Sequence, residues 1–372
     1  MWKLLKNDFI IEKSNKKNIF ACIAIALFVL GFFSYQKIEN SQELIDQKAG
    51  EYQSVASALT KFQNVDAMDY GNGSDLYYNL LQQQRYVVNQ SMALKIGRPQ
   101  LYLDTGIKLA ELRASAFDLE GYEKVATNLP SKTQNHLDAI LYQFMVKAGI
   151  LVSQDTLSFY PFLLSLFMML GSFWFIFISV FSCGILIEEF RHTSLIKGYP
   201  VSFDKYVLAK SSSAMLFVLI FIAELFICSL PFIYFYGVGD PNYPIAIFDG
   251  SFKVATTLEY IGIALLYMVF IAIFTILLSV ILNVLLKNMY LTLFVQLLLF
   301  IAPSLFPALV SLIPFNPFNY MNFANLLNGI SLELARPVEL EAVHGLIYFG
   351  ISIVLMLVVV KLFFTTGKLK RV

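Results

Sequence analysis

The sequence predicts an all-α integral membrane protein with six transmembrane helices, both termini in the cytoplasm, and a mostly helical extracellular domain between helices 1 and 2. Composition indicates the class, because 58% of the 372 residues are hydrophobic and 14% are charged. Soluble domains are about 45–50% apolar and about 25% charged. Six long apolar runs indicate the number of spans, and the lysines and arginines indicate their orientation. The net charge of +1 gives no indication of a nucleic-acid partner.

The N-terminal segment, residues 1–18, carries five lysines and places Trp2, Leu5 and Phe9 on one face at helical spacing. We predict a short cytoplasmic helix at the membrane interface, because anionic headgroups attract lysine and the interface suits tryptophan. The alternative is a basic flank that only orients the first span. Residues 19–35 follow as transmembrane helix 1, at about the minimum length for a span.

Residues 36–156 are polar, and their apolar residues recur at helical spacing, which predicts an extracellular domain of some four helices. The recurring residues include Leu76, Leu80, Leu81, Val87, Val88, Leu109, Leu112, Phe117, Leu137, Leu141 and Phe144. The three cysteines of the chain all lie in or beside apolar runs. A disulfide framework is therefore not expected in this domain.

Five further apolar runs predict transmembrane helices 2–6 within residues 157–364. They are Leu157–Ile187, about Ser211–Val238, Tyr260–Leu286, Met289–Ile313 and about Val343–Phe364. The short segments on the side of the termini, including the tail 365–372, contain lysine or arginine in each case, whereas the opposite short loops have only Lys253 and Arg336. The positive-inside rule therefore assigns the termini to the cytoplasm.

A charged island separates the second and third apolar runs, between Cys183 and Lys210. It contains acidic and basic residues, and Gly198-Tyr199-Pro200 interrupts it. Its length and this break favour a helical elbow at about 185–200 that protrudes at the membrane face. Taken by itself, the island is also compatible with a solvated loop whose charges only stop translocation.

The island resembles the coupling segment of ABC transporter permeases of the ABC-2 type. Glu188, Thr193, Pro200 and Lys210 match the Glu, Thr, Pro and Lys of the family pattern, but His192 replaces its usual glycine. A second motif, Pro314-Phe315-Asn316-Pro317-Phe318-Asn319-Tyr320 followed by Leu326-Leu327-Asn328-Gly329, is similar to the family's Pro-Phe-rich segment between spans five and six. The resemblance implies re-entrant extracellular helices at about 314–342.

The resemblance further implies the permease subunit of an ATP-driven exporter in the plasma membrane, and not an enzyme. Its partners are expected to be two copies of an ABC ATPase subunit, a second permease subunit (the same or a related chain) and membrane lipids. ATP and magnesium are expected in the ATPase, so this chain needs no cofactor or metal, and it has no G-x-x-x-x-G-K-[ST] loop. The resemblance assigns coupling to Glu188, Glu189, Phe190, Arg191, Thr193, Leu195 and Ile196. The sequence is rich in Lys, Asn, Ile and Phe, which is typical of some bacterial proteins. Together with the extracellular helical domain, this composition favours an antimicrobial peptide among hydrophobic or amphiphilic substrates.

Two polar residues inside predicted spans are candidates for a substrate path, Glu224 and Gln296. A carboxylate in hydrocarbon costs about 2.5–3.5 kcal/mol on insertion scales. Glu224 must therefore face a partner helix or a water-filled cavity, or be protonated. Its structural alternative is a hydrogen bond within the bundle, and Gln296 has the same alternative. The competing function classes are a membrane sensor or scaffold without transport and a membrane enzyme that uses Glu224.

Overall fold

A computed structural model describes residues 2–39, 43–63, 75–191, 203–311, 313, 315–333 and 340–365. The helices are α1 Trp2–Lys13, α2 Lys16–Glu39, α3 Glu43–Gln63, α4 Asp75–Lys95, α5 Pro99–Ala116, α6 Tyr122–Val125, α7 Lys132–Ala148, α8 Phe159–Ser182, α9 Ile187–Arg191, α10 Phe203–Tyr236, α11 Thr257–Leu286, α12 Met289–Leu305, α13 Pro307–Ser311, α14 Phe323–Leu327, α15 Ile330–Glu333 and α16 Ala342–Thr365. The strands are β1 Pro244–Asp249 and β2 Ser251–Thr256, and 3-10 turns cover Ala126–Asn128 and Pro317–Tyr320.

Five stretches of the described chain are long and apolar enough to cross a membrane. They are Lys16–Ile38, Phe159–Phe190, Asp204–Tyr236, Thr257–Leu286 and Ala342–Leu362. These agree with five of the six predicted spans. The remaining one, predicted at Met289–Ile313, is divided into α12, which has 17 residues, and the short helix α13. Phe306 leaves the helical conformation between them, directly before Pro307, as proline disfavours helix in the residue that precedes it.

Local sequence signals explain where α11 begins and where the chain turns from α11 into α12. Thr256 and Glu259 form a reciprocal capping box at the start of α11, which satisfies two backbone donors of the first turn. Asn288 accepts hydrogen bonds from two backbone amides at the start of α12. Between these helices Lys287 adopts a positive φ of 51° and ends α11. The tight turn therefore places α11 and α12 side by side.

The bundle core is formed where α8 and α11 pack together. The indole of Trp174 is buried there and donates a hydrogen bond to the Met268 carbonyl at 2.8 Å. α14 approaches α8 at Gly171, where an added Cβ would lie 2.8 Å from the Ala324 side chain and 2.9 Å from Phe323. Glycine is needed at this position because the two backbones come too close for a side chain. The segment after α13 thus packs against the middle of a long apolar helix.

The polar region contains four helices of 17 to 21 residues, α3, α4, α5 and α7. Neighbouring helices pack in the order α3, α4, α5, α7. Two apolar clusters form the interior, one around Leu76 and Leu80 and one around Leu103 and Met145. Leu81 and Val88, however, are exposed on α4. The apolar residues of this helix therefore lie on two faces, one buried in the domain and one exposed.

A β-hairpin lies between α10 and α11, in a segment that the sequence analysis treated as a short loop. β1 and β2 pair in antiparallel register with Gly250 at the turn. The hairpin packs against α7, where Phe252 stacks on His136 at a centroid distance of 4.3 Å. Asp249 accepts a hydrogen bond from the backbone amide of Ala342 at 2.6 Å. The hairpin therefore connects the polar four-helix region with the first turn of α16.

Candidate functional site

The charged island begins with α9, a helix of five residues in which two adjacent glutamates have opposite environments. Glu188 is exposed, whereas only 6% of Glu189 is exposed. Successive positions of a helix point about 100° apart, so one of the two faces the bundle when the other faces outward. Of the two predicted coupling acids, Glu188 alone has the exposure that contact with another protein requires.

Glu189 holds α9 against the start of α10. Its Oε1 accepts a hydrogen bond from the Tyr206 hydroxyl at 2.8 Å and forms a short salt bridge with the Lys210 ammonium. Its Oε2 is buried and has no hydrogen-bond partner among the described residues. Charge-assisted hydrogen bonds of this kind are about twice as strong as neutral ones. Glu189 is therefore an anchor within the chain.

The helix α1 covers this anchor from the side of α10. Phe9 stacks on Phe217 at a centroid distance of 5.1 Å, and Asp8 lies near Ser213. Burial raises the pKa of the Asp8 carboxyl, although the nearby hydroxyl of Ser213 and the charge of Lys210 act in the opposite direction. Residues 1–18 thus contain a helix, as predicted, but its inward face carries acids as well as apolar groups.

A cavity of about 250 Å³ lies beside this anchor, between α1, the start of α2, the end of α8 and α10. Four charged side chains line it: Glu12, Lys17, Glu188 and Lys210. Lys17 donates a short hydrogen bond to the Phe181 carbonyl, and Asn18 donates to Glu12 Oε2 at 2.9 Å. We call this group, with Asp8 and Glu189, the α1-side cluster. It joins the N-terminal helix to the island through side chains that the sequence analysis did not connect.

The structure describes two of the five remaining predicted coupling residues, Phe190 and Arg191. Phe190 packs beside a small apolar cluster that includes Leu186 and Val207, and the Lys287 ammonium lies 6.0 Å from its ring centroid. Arg191 ends α9. Thr193, Leu195 and Ile196 lie outside the described residues, as do His192 and the Gly198-Tyr199-Pro200 break.

Glu224 lies in the middle of α10 and faces α2. Its carboxyl group lies beside the Cys22 thiol, and its Oε2 is buried with no hydrogen-bond partner among the described residues. The neighbouring Leu225 lines a wholly apolar cavity of about 430 Å³ between α2, α8 and α10. The lining side chains are Ala24, Ile25, Phe28, Met169, Leu170, Phe173, Trp174, Phe177 and Leu225. The structure thus places a carboxyl group one residue from a hydrocarbon-lined space.

Gln296 is fully buried between α11 and α12. Its amide nitrogen donates to Ser279 Oγ at 2.7 Å and to the Thr275 carbonyl at 3.4 Å, and Ser279 is hydrogen-bonded to Ser182 of α8 at 2.7 Å. These contacts connect three helices, as polar side chains in membrane bundles commonly do. Gln296 and Glu224 lie in separate groups of contacts, so no described contact joins them into one path.

Sequence reasoning missed Asp8, Glu12 and Lys17 as members of the α1-side cluster. The available signal was the pair of acids at positions i and i+4 in a segment otherwise rich in lysine, because that spacing puts both on one helix face. We interpreted the segment through its lysines and its apolar face. Comparisons with protein-family models, with curated proteins and with solved structures found no match.

Proposed function

We propose that the chain is the permease subunit of an ATP-driven exporter in a bacterial plasma membrane. Two six-span permease subunits, with termini in the cytoplasm and the four-helix domain outside, bind two ATPase subunits made as separate chains. The observation that supports this best is the difference between two neighbouring residues of α9. Glu188 is exposed, whereas Glu189 is buried and bonded to Lys210. An exposed acid can contact the ATPase, and a helix that is anchored to the bundle can pass a displacement by the ATPase on to the membrane helices.

The contacts of α9 show which helices a displacement of α9 would move. Because Glu189 is bonded to Tyr206 and Lys210 of α10, displacement of α9 acts on the first two turns of α10 as well as on α8. α10 is a continuous helix of 34 residues, about 50 Å long at 1.5 Å per residue. A tilt at its start therefore reaches the opposite membrane face, where α10 ends near the hairpin. The proposed cargo is a hydrophobic or amphiphilic molecule such as an antimicrobial peptide.

The deciding experiment is gentle affinity purification of the full chain from its native membrane, with each stoichiometric companion identified by mass spectrometry. An ATPase recovered at equal stoichiometry supports the exporter. A folded, dimeric preparation that contains no ATPase contradicts it and favours the rival function, a membrane sensor whose four-helix domain binds a ligand.

Glu188→Ala and Glu189→Ala separate docking from anchoring. We expect Glu188→Ala to weaken ATPase binding and to lower substrate-stimulated ATP hydrolysis about tenfold, the loss that corresponds to about 1.4 kcal/mol of interface energy, with a smaller loss of thermal stability than Glu189→Ala causes. Glu189→Ala is expected to lower the unfolding temperature, because it leaves Lys210 without its closest partner. ATP hydrolysis that stays coupled to substrate in Glu188→Ala removes this residue from the mechanism.

A further inference from the structure

Helix α4 carries a narrow stripe of large apolar side chains that the four-helix domain does not cover. The stripe, which we call the α4 stripe, consists of Tyr78, Leu81, Val88 and Met92, with Ile96 directly after the helix. Between 37% and 54% of each residue is exposed. Single exposed apolar residues are ordinary, but a continuous apolar stripe outside the membrane-spanning helices marks an interaction surface.

The spacing of the α4 stripe indicates that its partner is a helix. Arg85 occupies the remaining position, so the stripe advances by three or four residues at each step from Tyr78 to Ile96. This is the repeat with which two helices pack side by side along a seam. Arg85 is compatible with such a seam, since its apolar stem packs while its charged end stays in water.

The charges of α4 are complementary to those of a second α4 that runs in the opposite direction. Asp75 lies in the first turn, whereas Lys95 lies in the last turn and Arg98 just beyond it. Antiparallel pairing brings the acidic end of each helix to the basic end of the other, and it aligns the helix dipoles favourably. Parallel pairing would place Arg85 against Arg85 and Asp75 against Asp75.

The apolar residues also match in the antiparallel arrangement. With the centre of the pair between Arg85 and Val88, Tyr78 of one helix lies opposite Ile96 of the other, Leu81 lies opposite Met92, and Arg85 lies opposite Val88. The residues that flank the stripe on α4 include Gln82, Gln84 and Asn89. These side chains are uncharged, so they do not repel an identical helix.

The position of α4 in the fold permits this pairing within one bilayer. The hairpin runs from the first turn of α11 to the first turn of α16, and α7 packs along both of its strands. α5 packs on α7, and α4 packs on α5, so α4 belongs to the domain at the same end of the bundle. Two copies in one membrane are related by an axis along the membrane normal, and such an axis makes helices that lie across it antiparallel.

We infer that the α4 stripe binds the α4 stripe of a second copy of this chain in antiparallel orientation, joining the two copies outside the membrane. The inference rests on the pairing of two identical permease copies in the proposed function. It extends that function by assigning the contact to the four-helix domain, where neither ATP nor substrate is needed to form it.

Disulfide crosslinking of the full-length chain in its membrane tests the orientation. The background variant has Cys22, Cys183 and Cys228 replaced by alanine, and two differently tagged copies are produced together. Because a disulfide requires Cβ atoms about 3.5–4.5 Å apart, Leu81→Cys in one copy and Met92→Cys in the other should give a band of twice the monomer mass on oxidation. Arg85→Cys in one copy with Val88→Cys in the other should give the same shift, whereas Leu81→Cys alone and Met92→Cys alone are the matched controls and should stay monomeric.

Two results overturn the inference. Crosslinking of Leu81→Cys alone and of Met92→Cys alone shows a parallel pair. Absence of every α4 crosslink in a membrane where differently tagged copies still co-purify shows that another surface joins them, and it leaves the exporter proposal intact. If the copies do not co-purify at all, self-pairing fails, while recovery of an ATPase with a different second permease chain would still support the proposed function.

Discussion

The four-helix domain and the membrane bundle both bury charged side chains, but they pair them differently. In the domain, Glu51 of α3 lies between two cations, 2.7 Å from the Lys48 ammonium and 2.9 Å from the Arg113 guanidinium. In the α1-side cluster the excess is reversed, because Asp8 and Glu189 both face the single ammonium of Lys210. A carboxylate that loses its partner can become neutral by taking up a proton, whereas an arginine cannot become neutral by losing one. The domain cluster therefore keeps its charge pairs to a lower pH than the α1-side cluster.

Removing the central carboxylate of the domain should have the largest effect on stability. Glu51→Gln leaves Lys48 and Arg113 buried without their counter-charge, and breaking a buried pair in this way costs about 3–5 kcal/mol. We expect a corresponding loss in the free energy of unfolding at neutral pH, measured by calorimetry of the full chain in detergent. Glu111→Gln on the exposed face of α5 is the control and should change stability by less than about 0.5 kcal/mol.

The pH dependence of the Glu51→Gln effect follows from the pKa of Glu51. Burial raises this pKa, but the charges and hydrogen bonds of Lys48 and Arg113 outweigh burial and hold it below its ordinary value of 4.5. A carboxyl with a lowered folded pKa stabilises fully above its unfolded pKa and loses that contribution as the pH falls through the folded value. The difference between wild type and variant should therefore persist at pH 5 and vanish well below 4.5. A difference already lost at pH 6 would contradict the paired cluster.

Removing Lys210 from the α1-side cluster should have a smaller effect, which disappears on acidification at a higher pH than the effect of Glu51→Gln. Lys210→Met leaves Glu189 and Asp8 without their ammonium, at about 2 kcal/mol for a lost charged hydrogen bond. The pKa of Asp8, already raised by burial, should rise further, so its protonated form restores stability on acidification. We expect the deficit of Lys210→Met to shrink as the pH falls from 7 while that of Glu51→Gln is still complete. Lys205→Met, one turn earlier and exposed, is the matched control, and equal pH profiles for the two clusters would remove the distinction.

The elements of the bundle were largely predictable because a span needs about 20 apolar residues, which composition alone reveals. The span predicted at Met289–Ile313 is different, since Pro307 divides its apolar run into α12 and α13. The hairpin was not predictable from its own residues. Its strands are stabilised by α7 and by the amide of Ala342, more than 85 positions away on either side, and periodicity within a short window contains no such contact.

The candidate site was predictable only in part, for a similar reason. The sequence located Glu188 and Glu189 as neighbours, but which of them faces the bundle depends on Tyr206 and Lys210 of the next helix. The acids of α1 acquire their role through packing on α10, which the lysines around them obscured. In the domain, by contrast, the apolar spacing correctly indicated helices, and only packing showed that Leu81 and Val88 lie outside the core.

The smallest expected effect on stability concerns Glu224, the acid in the middle of α10, which has neither a second acid nor a cation among the partners described for it. Glu224→Gln keeps a hydrogen-bonding side chain of the same shape beside Cys22, so stability should change by less than about 1 kcal/mol. If the carboxyl serves the export of a cationic amphiphile, transport into vesicles should fall while the unfolding temperature is unchanged. Cys22→Ala, which removes the neighbouring thiol but keeps the acid, should then transport normally. A drop in unfolding temperature in both variants, with transport reduced in proportion, would instead make Glu224 a structural contact between α2 and α10. In that case no acid among the described residues would contact the transported molecule at this depth of the bundle.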